Sequence, residues 1–108
     1  MFTLNPNPTF KSEVSFLTPS GPAKITAVFR HKGRKALKAF MDSLTDAKPD
    51  GSLREDIDIV SEIVDGWEGV DVEFSKEALD TLLDNYPSSA RAILDAYLIA
   101  LAEGQAKN

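Results

Sequence analysis

One feature limits the fold more than any other: the hydrophobic period of the chain changes once, near residue 33, from two to 3.6. In residues 9–17 (TFKSEVSFL), Phe10, Val14 and Phe16 share one parity, and Thr9, Lys11, Glu13 and Ser15 the other. That alternation specifies a strand with one buried face. Beyond the turn-rich TPSGP of residues 18–22, Ala23, Ile25, Ala27 and Phe29 alternate with Lys24, Thr26 and Arg30, so the spacing predicts an antiparallel hairpin with a five-residue loop. A lone hairpin is marginal in water, so its apolar face must pack on the remainder of the chain.

That remainder, from residue 33 onward, has the helical period. Leu37, Phe40, Met41 and Leu44 form one face of a first helix starting at Arg34. After KPDGS (48–52), Ser52 or Asp50 is placed to cap a second helix with Ile57, Val60, Val64 and Trp67 on one side, widened by Ile59 and Ile63 and ended by Gly66 and Gly69. Ser75 caps a third helix carrying Leu79, Leu82, Leu83 and Tyr86, with Phe74 and Leu79 in staple positions. Pro87 opens a fourth, from about Ser88 to Glu103, with Gly104 placed to close it. The expectation is an α+β fold, an N-terminal two-stranded antiparallel hairpin (9–30) packed on about four helices (33–104), in one domain spanning the 108 residues. No apolar run approaches the ~18 residues of a membrane span, and Met1–Pro8 lacks the regions of a signal peptide, so the expected protein is soluble and intracellular.

The charge is unevenly laid out. Residues 1–38 hold seven Lys/Arg and one acid, whereas residues 42–84 hold three Lys/Arg and fourteen acids. Opposite blocks of this kind can bring two copies of a chain together, so self-association between the first 38 residues and the acidic block is expected.

Chemistry finds few candidates. With one His and no Cys, a nucleophile–base pair would need a Ser beside His31, which stands among cations in RHKGRK. The carboxylates, Asp56, Asp58 and Asp65 included, recur on polar helix faces, where solvation explains them. DAKPDGSLREDI (46–57) imitates a calcium loop through Asp46, Asp50 and Gly51, but Lys48 and Ile57 occupy ligand positions. No enzyme, cofactor or metal is expected. The basic run Arg30, Lys32, Arg34, Lys35 and Lys38 lacks the interleaved aromatics of a nucleic-acid site, and its docking role, if it has one, points to an anionic protein partner. The fourth helix says more: Ile93, Tyr97 and Ala100 occupy one side while Leu94, Leu98 and Leu101 extend the apolar arc beyond a single contact.

The stretch 63–101, IVDGWEGVDVEFSKEALDTLLDNYPSSARAILDAYLIAL, resembles the tail assembly chaperones of long-tailed bacteriophages. The likeness runs through G-W-x-G-V-D (Gly66–Asp71), E-F-S (Glu73–Ser75), Y-P (Tyr86, Pro87) and A-I-L-D-A-Y (Ala92–Tyr97), and extends to LNPNPTFKSEVSF and AVFRHKGRKAL. The resemblance implies a non-enzymatic protein of a phage or prophage. It would act in the cytoplasm of the bacterial host, bind the long helical tape measure protein, promote tube assembly with the major tail protein, and be absent from the mature virion. Leu94, Tyr97, Leu98 and Leu101 are then the expected partner contacts, with Trp67, Phe74 and Tyr86 fixing the turn before them. The resemblance also implies a longer form made by a −1 frameshift, which would contact the major tail protein; Ala106, Lys107 and Asn108 can be encoded by the slippery GCA AAA AAC. The alternative is a small adaptor that docks an anionic partner through the basic run.

Overall fold

Alternation over residues 9–30 becomes two ten-residue strands, β1 (Thr9–Thr18) and β2 (Gly21–Arg30), in a computed structural model that describes residues 1–103. Their register places Phe10 opposite Phe29, Val14 opposite Ile25 and Phe16 opposite Ala23, so the apolar residues of both strands share one face. The connecting loop is Pro19–Ser20, two residues rather than five. Gly21, at φ +113°, turns the chain into β2, and the Thr18 hydroxyl donates to the Gly21 carbonyl while accepting from the Ser20 N–H. Pro22 lies in the strand, where a residue without an N–H is tolerated if that position makes no ladder bond.

Four helices succeed the hairpin: α1 (Arg34–Thr45), α2 (Asp56–Ile63), α3 (Lys76–Asn85) and α4 (Ser88–Ala102). The second helix is shorter than its apolar spacing suggests. Val64–Glu68 forms a third strand, β3, antiparallel to β2, and the sheet order is β1-β2-β3. Val64 and Trp67 are therefore strand residues opposite Phe29 and Ala27, with an irregularity between Val28 and Phe29 in the pairing. Neither Asp50 nor Ser52 caps α2. The Asp50 carboxylate instead accepts the Ser52 N–H and hydroxyl in a tight turn, while Glu55 stands at the N-cap without a side-chain bond. Ser75 does cap α3, its hydroxyl accepting the Ala78 N–H at 3.0 Å. Gly104 and the Ala106–Asn108 segment lie outside the described residues.

The helices cover one face of the sheet, α4 over β1 and α2 over β2 and β3. The core between them joins Phe10, Val14 and Phe29 from the sheet to Val60, Ile63, Leu79, Ile93 and Tyr97 from the helices. The far face is polar, crossed by Lys11–Glu68 at 2.6 Å and Lys24–Glu13 at 3.8 Å. α1 stands apart and buries only Phe40.

Candidate partner-binding surface

The larger apolar stripes of α4 are of two kinds, sorted by what the sheet and α2 leave uncovered. Ile93, Tyr97 and Ala100 face the sheet and are buried. Tyr97 has 0% exposure: its ring stacks on Phe10 at 6.0 Å, tilts against Phe29 at 5.0 Å and meets the edge of Phe40 at 6.3 Å. A residue so enclosed has no surface to offer, which corrects the expectation that it touches a partner; on the helical wheel it belongs with Ile93 and Ala100, the stripe that the sheet takes. Leu94, Leu98 and Leu101 are half-buried on the neighbouring flank. Of these, Leu94 lines an open groove between α2 and α4 with Ile59, Val60 and Ala90, and Asp56 and Arg91 complete its lining; its volume is about 200 Å³. The spacing of Ile59 puts it on the apolar face of the second helix, but its role in a groove depends on where α4 lies, which no local pattern reveals.

The basic run divides. Arg30 reaches along the surface to the end of α2: its Nη1 donates to the carbonyls of Ser61, Glu62 and Val64 at 2.9, 3.2 and 3.0 Å, and its Nη2 to Asp65 Oδ1 at 3.0 Å. These carbonyls end α2, whose last turn holds no cation of its own, so Arg30 satisfies a helix C-terminus from outside. Lys32, whose side chain is 17% exposed, pairs with Glu62 at 2.8 Å. Lys38 makes an exposed i,i+4 pair with Asp42 on α1. Arg34 and Lys35 alone of the five have no partner among the described residues. The opposite charge blocks of the sequence thus meet, in part, within one chain, through Lys11–Glu68, Arg30–Asp65 and Lys32–Glu62.

Arg54, just ahead of α2 and among none of the candidate residues of the sequence, joins α1 to α2. It donates to Asp58 Oδ2 at 2.8 Å, Glu62 Oε1 at 2.9 Å and the Ser43 hydroxyl of α1 at 2.7 Å. Its guanidinium carbon is 5.9 Å from the centroid of the Phe40 ring, and Lys32 Nζ is 5.5 Å from it. The hydrogen bond from Arg54 holds the Asp58 carboxyl below its usual range. At Glu62 burial works the other way, but the hydrogen bonds from Lys32 and Arg54 outweigh it and leave that carboxyl lowered as well.

Trp67 and Phe74 meet edge to face at 5.1 Å, and Trp67 Nε1 donates to the Val72 carbonyl at 2.9 Å, closing the turn between β3 and α3. Tyr86 packs against Phe16, 6.0 Å between centroids. Asp58 and Asp65 are each paired with a different arginine, Arg54 and Arg30 respectively. No group of His, Asp and Glu among the described residues is arranged to hold a metal ion, and no helix among them is long and apolar enough to cross a membrane.

The apolar groove and the ion pairs of Arg54 and Lys32 with Glu62 are both built on α2. The family model of phage tail assembly chaperones matches residues 1–108, and the chain belongs to that family. Members are generally non-enzymatic and act in the host cell during tail assembly, with protein partners. Neither the curated proteins nor the solved structures contain a match to the chain.

Proposed function

We propose that this chain binds helical segments of the tape measure protein, keeps them soluble before the tail tube forms, and leaves before the virion is complete, with no catalytic step of its own. The observation that carries the reading is the α2–α4 groove. Its apolar lining of Ile59, Val60, Ala90 and Leu94 suits the apolar stripe of an amphipathic helix, and Asp56 and Arg91 offer one charge of each sign to the polar shoulders of that helix. Leu98 and Leu101, half-buried on the same flank of α4, extend the surface along the helix. Contact with the major tail protein belongs in this reading to a frameshifted longer form.

The experiment is co-purification of the tape measure protein with the chain. Leu94→Asp and Ile59→Asp should abolish capture while the circular dichroism spectrum is retained, whereas Val72→Asp, at an exposed position away from the groove, should leave capture unchanged. Full capture by folded Leu94→Asp and Ile59→Asp variants would overturn the assignment.

A further inference from the structure

The sheet has two edges, and they differ. β3 is five residues long, contains Gly66 and pairs irregularly, features that blunt an edge. β1 runs for ten residues with neither proline nor bulge. Pro22 has no N–H, so the Leu17–Pro22 pair cannot exchange two ladder bonds, and the doubly bonded positions of β1 are the even ones. The bond from the His31 N–H to the Pro8 carbonyl, 2.8 Å, continues the ladder at that parity. The backbone groups of Thr9, Lys11, Glu13, Ser15 and Leu17 therefore point away from β2. Only the Leu17 carbonyl has a partner there among the described residues, the Ser88 hydroxyl at 3.4 Å.

We propose that two copies of the chain join along β1, antiparallel, in the register that sets Lys11 of each copy opposite Glu13 of the other. Parity and charge select this register. Outward-pointing residues must face outward-pointing residues, which restricts the choice to odd against odd. Shifting by two residues one way opposes Glu13 to itself, and the other way opposes Lys11 to itself. The chosen register also sets Thr9 opposite Ser15 and, on the core face, Phe10 opposite Val14, so the apolar face continues from one sheet into the next. On the polar face Lys11, already bonded to Glu68, gains a second carboxylate, and Glu13, already near Lys24, a second cation.

α4 fits the same arrangement. It runs antiparallel to β1 from Ser88 beside Leu17 to Tyr97 on Phe10, and the flank of α4 turned away from α2 carries Ala92, Ala96 and Ile99. That flank stands toward the β1 edge, since α2 covers β2 and β3. Small residues there let the two α4 helices approach, and Ile99, 52% exposed in one copy, would be covered by the second.

Sedimentation velocity on the purified chain alone, over a wide concentration range, tests this independently of any tape measure partner. Dimerisation is expected for the native chain. Glu13→Lys or Lys11→Glu alone should weaken it about tenfold, because each sets like charges opposite one another at two symmetry-related positions. An equimolar mixture of these two variants should associate again, since every opposed pair is then opposite in sign. Ser15→Pro, which removes only an N–H unused within the chain, should give a folded monomer. A native chain that stays monomeric, or a dimer unaffected by all three substitutions, would overturn the proposal.

Discussion

The Tyr97 hydroxyl donates to the backbone carbonyl of Arg30 at 2.8 Å, joining residues 67 positions apart. The bond spans the molecule's main junction: the Arg30 carbonyl ends β2 and receives α4, while its guanidinium closes α2 and reaches Asp65 on β3. Burial, and after it the charge of Glu62, pushes the Tyr97 hydroxyl up to about 12, so it remains a neutral donor throughout the physiological range.

Tyr97→Phe should cost about 1 kcal/mol, because the ring contacts survive while the Arg30 carbonyl loses its donor. Tyr97→Ala should cost about 3–5 kcal/mol, as removal of a buried aromatic ring does. Urea titration of both variants checks the pair of values. A Tyr97→Ala variant close to native stability would return Tyr97 to the surface role expected from the sequence.

Arg30→Lys should cost about 1–2 kcal/mol despite keeping the charge, since an ammonium group cannot reach three carbonyls and a carboxylate at once. Amide hydrogen exchange should speed up at the end of α2. Arg34→Ala, at an exposed position without a partner among the described residues, should stay within about 0.5 kcal/mol of native stability.

Tyr97 and Arg30 also mark the boundary of what is legible in the sequence. The hairpin is legible because Phe10, Val14, Ile25 and Phe29 alternate strictly, and α1, α3 and α4 because their apolar stripes and the Ser75 cap are local signals. Val64 and Trp67 read as part of α2 because they sit four and seven positions beyond Val60 and so keep the helical period, whereas their separation of three breaks the strand period and is absorbed only by the irregular pairing at Val28 and Phe29. Long-range pairing with Phe29 and Ala27 and the capture of the α2 carbonyls by Arg30 decide between the two. The partner surface is half legible: the wide apolar arc of α4 is evident, but which flank meets the sheet depends on where β1 lies, so local spacing separates Tyr97 from Leu94 without saying which of them is buried. Arg30 and Lys32 read as free charge for the same reason, since their acids lie some thirty residues away.

Acid should release α1 before the rest of the fold. Asp58 and Glu62 have lowered pKa values in the folded chain, so the stability they contribute is complete above their unfolded pKa values and is lost as pH falls through the folded ones, below about pH 4. Their loss deprives Arg54 and Lys32 of the groups that hold them beside Phe40, the sole buried residue of α1. Hydrogen exchange at decreasing pH should show α1 protection falling first. In Arg54→Met, which removes the pairing, the urea midpoint should depend less steeply on pH than in the native chain.

The salt dependence of partner capture separates the apolar groove from the basic run. Raising ionic strength from 0.1 to 1 M shortens the screening length from about 10 to about 3 Å, which suppresses attraction between exposed charges but leaves burial of apolar surface intact. Of the five residues of the basic run, Arg34 and Lys35 alone are exposed without an internal partner among the described residues, so a docking site built on the run would depend on them. Binding through Ile59, Val60 and Leu94 should instead persist at 1 M salt and be unchanged by Arg34→Glu with Lys35→Glu, while Leu94→Asp abolishes it at every salt concentration. Titration of a labelled tape measure peptide at several salt concentrations reads all three. Capture that collapses with salt and with the double charge reversal, yet survives Leu94→Asp, would transfer the site to the amino-terminal end of α1 and support an adaptor that docks an anionic partner.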